Sequence, residues 1–157
     1  MANGIPRVLL AGVGSGCGKT TMTCAILQAL TDRGVDTIAF KCGPDYIDPM
    51  FHRRITASGG NLDPFFFSRD TLNYLLDKYG KGHELSVIEG VMGYYDGLGA
   101  ATDRASSYAV SRALDAPVVQ GPQSVSSAAR PPVSVAMRSS ISSLLIRCFS
   151  LSSTCMV

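Results

Sequence analysis

A glycine-rich segment near the start of the chain has the residue types that bind a chain of phosphates. Residues 12–21 read GVGSGCGKTT, and glycines allow the backbone to curl and aim several N–H groups at one point. Lys19 adds a positive charge for the β- and γ-phosphates, and the Thr20 hydroxyl can reach Mg²⁺. A helix starting here would offer its positive N-terminal end to the same anion. The segment predicts binding of ATP with Mg²⁺, through Gly12, Gly14, Gly16, Gly18, Lys19, Thr20 and Thr21.

One position departs from the strict phosphate-loop pattern. That pattern has a glycine six positions before the lysine, where this chain has Val13, and Gly12 stands one residue earlier. A dinucleotide fingerprint starting at Gly12 fails, because its third glycine would fall on Cys17. A glycine-rich turn with an incidental lysine is the alternative to a nucleotide site.

Two charged residues end apolar runs that are typical of buried strands. Glu89 follows the run at 85–88, and Lys41 ends the run at 36–41. Ligands of open parallel sheets bind beyond the carboxyl ends of the strands, so both side chains should face the phosphates. Glu89 is therefore a candidate ligand of Mg²⁺, which prefers oxygen donors. A solvated acid capping a strand end is the other interpretation.

Three aspartates lie in loops that follow predicted strands. Asp45 and Asp48 stand three apart in a proline-framed segment, residues 42–52, which we expect to be irregular. Asp96 lies in the loop MGYYDG. Each could contribute to a site in the same crevice, but surface turns also use proline and aspartate.

The apolar pattern predicts the elements that hold these residues. A strand at 7–12, a helix at 19–30 and a strand at 36–41 form a βαβ unit, whose crossover requires a parallel sheet. We further predict a loop at 59–64, a helix at 68–79 capped by Ser68, a strand at 85–88, a helix at 101–114 and the start of a fourth strand at 116–119. The predicted fold class is α/β, a mostly parallel sheet of the P-loop NTPase type flanked by helices.

Composition restricts the classes of protein to consider. A length of 157 residues and an apolar fraction of 46% suit one globular domain. We find no membrane-length apolar run and no secretory leader, so a cytoplasmic location without membrane contact is expected. Basic residues form no patch, which argues against nucleic-acid binding. Five scattered cysteines, an odd number without CxxC pairs, indicate reduced thiols rather than a zinc site.

The composition changes after Val119. Residues 120–157 contain eleven serines, no acid and no lysine, and they interrupt the expected fourth strand with QGPQS. We interpret residues 1–119 as the ATP-binding domain and 120–157 as an aberrant or disordered tail. Our hypothesis for its origin is out-of-register sequence from a frameshift or a mis-called gene end. A genuine flexible tail is the alternative.

Four segments together resemble a known enzyme family. AGVGSGCGKTT is followed by KCGPDYIDPMFH (41–52), NLDPFF (61–66) and VIEGVMGYYDG (87–97). In order and spacing they resemble the cobyrinic acid a,c-diamide synthases, which include the hydrogenobyrinic acid enzymes. The resemblance covers about residues 6–119. The chain is more distantly similar to dethiobiotin synthetase, whose loop also has its first glycine seven positions before the lysine, so the valine at position 13 is a family trait.

The resemblance implies a glutamine-dependent amide ligase. ATP phosphorylates a side-chain carboxylate of a corrinoid substrate, and ammonia from glutamine then displaces phosphate, first at the c and then at the a position. The same resemblance assigns Thr20, Asp48 and Glu89 to the metal. It assigns Lys41, Asp45 and Asp96 to catalysis and Tyr46 to the substrate.

The chain also departs from this family. Family members are about three times as long, and their C-terminal half carries a glutaminase domain with a nucleophilic cysteine. We therefore expect a truncated N-terminal piece with an incomplete sheet, inactive by itself in glutamine-driven amidation and without glutaminase activity. Cys148 and Cys155 lie in serine-rich sequence without a partner histidine downstream.

Three other interpretations of the sequence are alternatives to an amide ligase. An arginine-rich lid segment would favour a small-molecule kinase, and we find no such segment in the sequence. A nucleotide switch of the partition-ATPase kind would have a second lysine where Gly14 stands. A degenerate fragment without function is the remaining alternative.

Overall fold

The structure is a computed structural model, and it describes residues 5–99 and 102–121 of the chain. Strands and helices alternate along these residues, with no cis peptide bond among them. The strands are β1 (Arg7–Ala11), β2 (Thr37–Cys42), β3 (Ala57–Leu62), β4 (Leu85–Glu89) and β5 (Val118–Gln120). The helices are α1 (Lys19–Asp32), α2 (Asp48–His52), α3 (Arg69–Gly80) and α4 (Ser107–Leu114).

The five strands form one parallel sheet in the order β3-β2-β4-β1-β5. All the carboxyl ends therefore meet at one edge of the sheet. The register places Lys41 of β2 opposite Glu89 of β4, and Glu89 opposite Leu10 of β1. This confirms the predicted class, an α/β sheet of the P-loop type flanked by helices.

The central strands are covered on both faces, as parallel sheets require. All residues of β2 and β4 are buried, and so are four of the five in β1. Leu72 and Leu76 of α3 pack into the core together with Val110 and Leu114 of α4. This core fixes the carboxyl edge of the sheet, where the charged residues lie.

One segment predicted to be irregular contains a short helix. Within residues 42–52, α2 occupies Asp48–His52, and Pro49 stands in its first turn. Proline is tolerated there because the N–H it lacks has no partner within the helix. Asp45 stabilises the turn that leads into this helix, since its Oδ1 accepts hydrogen bonds from the backbone N–H groups of Ile47 and Asp48 at 3.0 and 3.3 Å.

The predicted loop at 59–64 was also wrong over its first four residues. Residues 57–62 form the edge strand β3, which pairs with β2. Its sequence, ASGGNL, lacks the apolar run by which the other strands were recognised. Gly59 is needed because the Phe40 ring lies against it, so that an added Cβ would stand 2.0 Å from Phe40 Cε1.

Smaller differences concern the last two elements. The helix predicted from residue 101 begins at Ser107, after Ser106, whose hydroxyl accepts a hydrogen bond from Ala109 N–H at 3.1 Å. The last strand extends to Gln120, which pairs with Ala11, so the sheet includes the first residue of the predicted tail. Gly121 follows, with its N–H donating to the Ala11 carbonyl at 2.9 Å, and residues 122–157 of the tail lie outside the described residues.

Within the described part of the chain, no helix is long and apolar enough to cross a bilayer.

The contact between Gly59 and Phe40 predicts a measurable loss of stability. Gly59→Ala forces the new methyl group against the ring, and such overpacking costs about 1–3 kcal/mol. The midpoint of urea unfolding should fall accordingly at unchanged slope. In a Phe40→Leu background, where the ring is gone, the same substitution should cost less. Equal losses in both backgrounds would contradict the steric explanation.

Candidate functional site

The glycine-rich loop joins the end of β1 to the start of α1. Gly12 is buried at the base of the loop, where an added Cβ would stand 2.3 Å from Cys17 Sγ and 2.8 Å from Lys19 Cγ. Gly16 and Gly18 have positive φ angles of 71° and 81°, which side chains rarely adopt. The close contacts at Gly12 give a physical reason for a glycine seven positions before the lysine. Val13, in contrast, is exposed and carries no such constraint.

The side chain of Lys19 folds back onto the glycine-rich loop. Lys19 Nζ donates to the Gly14 carbonyl oxygen at 2.6 Å and lies 3.7 Å from Cys17 Sγ. Helix α1 has no side-chain cap and no acid in its first turn. Helix α3, in contrast, is capped by the Ser68 hydroxyl. The first N–H groups of α1 therefore lack a side-chain acceptor, a suitable arrangement for binding an anion.

A buried cluster of charged side chains lies at the carboxyl ends of β2 and β4. Lys41 is 2% exposed, and its ammonium group donates to Asp48 Oδ2 at 2.5 Å, to Glu89 Oε1 at 2.9 Å and to the Gly90 carbonyl at 3.2 Å. These three acceptors match the three donors of a lysine. From the start of α1, the Thr20 hydroxyl donates to Glu89 Oε1 at 2.8 Å.

The charges in this cluster shift the ionisation of its members. Burial lowers the pKa of Lys41, but Glu89 and Asp48 outweigh burial and leave that pKa above its usual value. Burial raises the pKa of Asp48, but hydrogen bonds and charge from Lys41, with a further contribution from Thr20, hold it below its usual value. Around neutral pH, Lys41 is therefore charged and Asp48 is ionised.

The loop between β2 and α2 carries two further candidates. Asp45 Oδ2 lies 3.7 Å from Lys41 Nζ, at the edge of the cluster, and Tyr46 is 74% exposed. Sequence analysis gave no role to Asn61, whose side-chain amide donates to the carbonyl oxygens of Gly43 and Asp45 at 2.7 Å each. Asn61 thus holds this loop to β3. The sequence feature that could have identified Asn61 is its position at the start of the motif NLDPFF.

Two of the predicted residues lie apart from the cluster. Asp96 is exposed, and its Oδ2 accepts a hydrogen bond from the Gly93 backbone N–H at 2.7 Å, within its own loop. That loop reaches the glycine-rich loop through Tyr94 N–H, which donates to the Gly12 carbonyl at 2.9 Å. Thr21 is exposed on α1. The structure thus brings Thr20, Lys41, Asp45, Asp48 and Glu89 together.

Sequence analysis also missed His52. Its ring is fully buried, and Nε2 lies 2.6 Å from Glu89 Oε2. A single histidine, without a second ligand at metal-binding spacing, gives no recognisable pattern in the sequence. The sequence feature that could have identified His52 is its position at the end of the segment 41–52, which also contains the two aspartates.

The donor atoms suit a hard divalent cation bound together with phosphates. Thr20, Asp48 and Glu89 offer oxygen atoms, the ligands that Mg²⁺ prefers. Among the described residues, no group of three or more His, Cys, Asp or Glu side chains could hold a metal ion by itself. Mg²⁺ is commonly bound in proteins by one or two carboxylates together with water and substrate phosphates.

Comparison with known proteins gives the family. The sequence model of the CobQ/CobB/MinD/ParA nucleotide binding domain matches residues 8–146, past Val119, where the motif resemblance was expected to end. Among its relatives, cobyrinate a,c-diamide synthases from Listeria innocua, Streptococcus sanguinis and Methanocaldococcus jannaschii are 45%, 47% and 41% identical to it. These alignments cover 72% of this chain and 25%, 25% and 26% of those relatives.

The chain therefore spans about a quarter of the length of the curated relatives that it matches. The resemblance to the cobyrinic acid a,c-diamide synthases that was inferred from the four motifs is confirmed. With the family model covering most of its residues, this chain belongs to the CobQ/CobB/MinD/ParA nucleotide binding domain family.

Proposed function

We propose that this chain binds Mg·ATP and transfers the γ-phosphoryl group to a carboxylate of a corrinoid acid, giving an acyl phosphate. The reaction is the activation step in the glutamine-dependent amidation of the a and c carboxylates of cobyrinic or hydrogenobyrinic acid. The observation that carries the proposal is the buried Lys41–Glu89–Asp48 cluster beside a phosphate loop. The identity to cobyrinate a,c-diamide synthases supports the choice of substrate.

The phosphate loop accounts for nucleotide binding. The N–H groups at the start of α1 can donate to the phosphates, since no side chain caps them. Lys19, whose Nζ donates to the Gly14 carbonyl, can exchange that neutral acceptor for a phosphate oxygen. The gain is large because a charged acceptor makes the stronger hydrogen bond.

The buried cluster accounts for phosphoryl transfer. Thr20, Asp48 and Glu89 would hold Mg²⁺, which supplies positive charge to neutralise the phosphates. Lys41 stays protonated through its two carboxylate partners, so it can stabilise charge on the transferring group. A substrate carboxylate oxygen forms a bond to the γ-phosphorus, the bond to the bridging oxygen breaks, and ADP leaves.

The neighbouring loops account for the position of the acceptor. Asp45, Tyr46 and Asp96 lie in loops after β2 and β4 and present exposed or half-exposed side chains. We assign them to orienting the corrinoid or its acyl phosphate. Ammonia then attacks the acyl carbon and phosphate leaves, so nitrogen delivery is a separate step that these residues need not perform.

Loss of the loop lysine should weaken nucleotide binding. Lys19→Ala removes a charged donor from a water-poor site, and we expect Mg·ATP affinity to fall by about 2–4 kcal/mol by calorimetry. Lys81→Ala is the matched control, because Lys81 is an exposed lysine after α3. Equal affinity in the Lys19 variant and the wild type would remove the phosphate-loop assignment.

Cysteine labelling tests where the nucleotide binds. Burial raises the pKa of Cys17, but the backbone of Gly14 and the charge of Lys19 outweigh it and leave the pKa lowered, whereas burial raises the pKa of Cys24. Cys17 should therefore react faster with iodoacetamide, as read by site-resolved mass spectrometry. At about nine times the dissociation constant, Mg·ATP should slow Cys17 labelling about tenfold. Cys24 serves as the internal control, and protection of neither thiol would contradict binding at this loop.

Hydroxylamine tests the acyl phosphate itself. It replaces ammonia as the nucleophile and traps the activated carboxylate as a stable hydroxamate. With Mg·ATP and cobyrinic or hydrogenobyrinic acid, we expect hydroxamate detectable by mass spectrometry, and none from the Lys19→Ala variant. Hydrolysis of ATP without hydroxamate would contradict transfer to a carboxylate and favour a kinase or switch function.

A further inference from the structure

The two oxygens of the Glu89 carboxylate have different partners. Oε1 accepts from the Thr20 hydroxyl at 2.8 Å and from Lys41 Nζ at 2.9 Å, on the side of the phosphate loop. Oε2 is 2.6 Å from His52 Nε2, and both side chains are fully buried. One oxygen thus faces the groups that would meet nucleotide, and His52 holds the other.

The second ring nitrogen of His52 identifies the donor in this contact. His52 Nδ1 is buried and has no hydrogen-bond partner. Leaving an N–H unpaired in the interior is costly, and Nδ1 without a hydrogen avoids that cost. The proton is accordingly assigned to Nε2, which donates to the Glu89 carboxylate.

His52 is itself held in place by the backbone around it. It is the last residue of α2, and its carbonyl oxygen accepts from the N–H groups of Ile55 and Thr56 at 2.9 Å each. At the other end of α2, Asp48 is bound to Lys41. This short helix is thereby fastened to the sheet by one side chain at each end.

We propose that His52 is a positioning residue: its Nε2–H fixes the plane of the Glu89 carboxylate so that Oε1 points to Thr20 and to the cation that accompanies ATP. This inference rests on the proposed function, because it needs a cation at Glu89. His52 touches neither nucleotide nor cation in this role and acts only through Glu89. Partners of this kind change metal affinity by about 10–100-fold when they are removed.

The test measures the gain in ATP affinity that Mg²⁺ provides, by calorimetry with MgCl₂ and with EDTA. His52→Leu removes the donor, and His52→Gln keeps an amide N–H close to the Nε2 position. We expect the Mg²⁺-dependent gain in ATP affinity to be at least about tenfold smaller in His52→Leu than in the wild type. The affinity of this variant for ATP in EDTA should equal that of the wild type. The glutamine variant should retain most of the gain.

A Glu89→Gln background separates positioning from a merely structural effect. If His52 acts through Glu89, His52→Leu should have no further effect on the Mg²⁺-dependent gain in that background. Should the leucine variant fail to fold by circular dichroism, His52→Asn, whose amide is a methylene shorter than that of glutamine, replaces it in the comparison.

The outcomes distinguish the two proposals. An unchanged Mg²⁺-dependent gain in His52→Leu would overturn the role of His52 and leave the proposed function intact. The same holds if His52→Leu reduces this gain equally in the wild-type and Glu89→Gln backgrounds. Tight ATP binding by the wild type with no gain from Mg²⁺ would overturn the cation site and, with it, the role of His52. Loss in the leucine or asparagine variant, recovery in the glutamine variant and no effect in the Glu89→Gln background would support the inference.

Discussion

The ion pair between Lys41 and Glu89 is the constraint around which this carboxyl edge of the sheet is organised. The two residues are direct neighbours in the parallel register of β2 and β4, and both are buried. Removing two charges from water costs several kcal/mol per ion, and only good geometry and further hydrogen bonds offset that cost. Apolar side chains would join the strands as stably. The pair is therefore better evidence for a functional site than for a stability device.

The buried Lys41–Glu89 pair needs further hydrogen-bond partners, and the surrounding elements supply them. Thr20 reaches Glu89 from the first turn of α1, while Asp48 and His52 reach Lys41 and Glu89 from opposite ends of α2. Such an arrangement is possible because a parallel sheet gathers all its carboxyl ends at one edge. The first turn of α1 and both ends of α2 are thus tied to the same two charges, although the two helices are separate in the sequence.

The elements that sequence analysis recovered share one property, a strong local signal. Strands β1, β2 and β4 are continuous apolar runs, and the phosphate loop has its own glycine spacing. Strand β3 was missed because it lacks an apolar run, and its Gly59 is required by contact with the Phe40 ring, which belongs to the neighbouring strand. Helix α2 is too short to show periodicity, and His52 gains its meaning only from Glu89, 37 residues away. Long-range contacts thus account for the failures at β3 and His52, and short length accounts for the failure at α2.

On the proposed function, the charge of the cluster gives a reason for ATP to bind more tightly when a cation accompanies it. Asp45, Asp48 and Glu89 place three carboxylates around the single ammonium group of Lys41. A triphosphate brought to this edge alone would meet net negative charge in a setting with little water to screen it, and repulsion between unit charges grows as the dielectric constant falls. Lys19 compensates for part of this charge from the phosphate loop. A divalent cation bound with the phosphates would offset the remaining repulsion, so on this proposal the acidic residues make ATP bind more tightly with Mg²⁺ than without it.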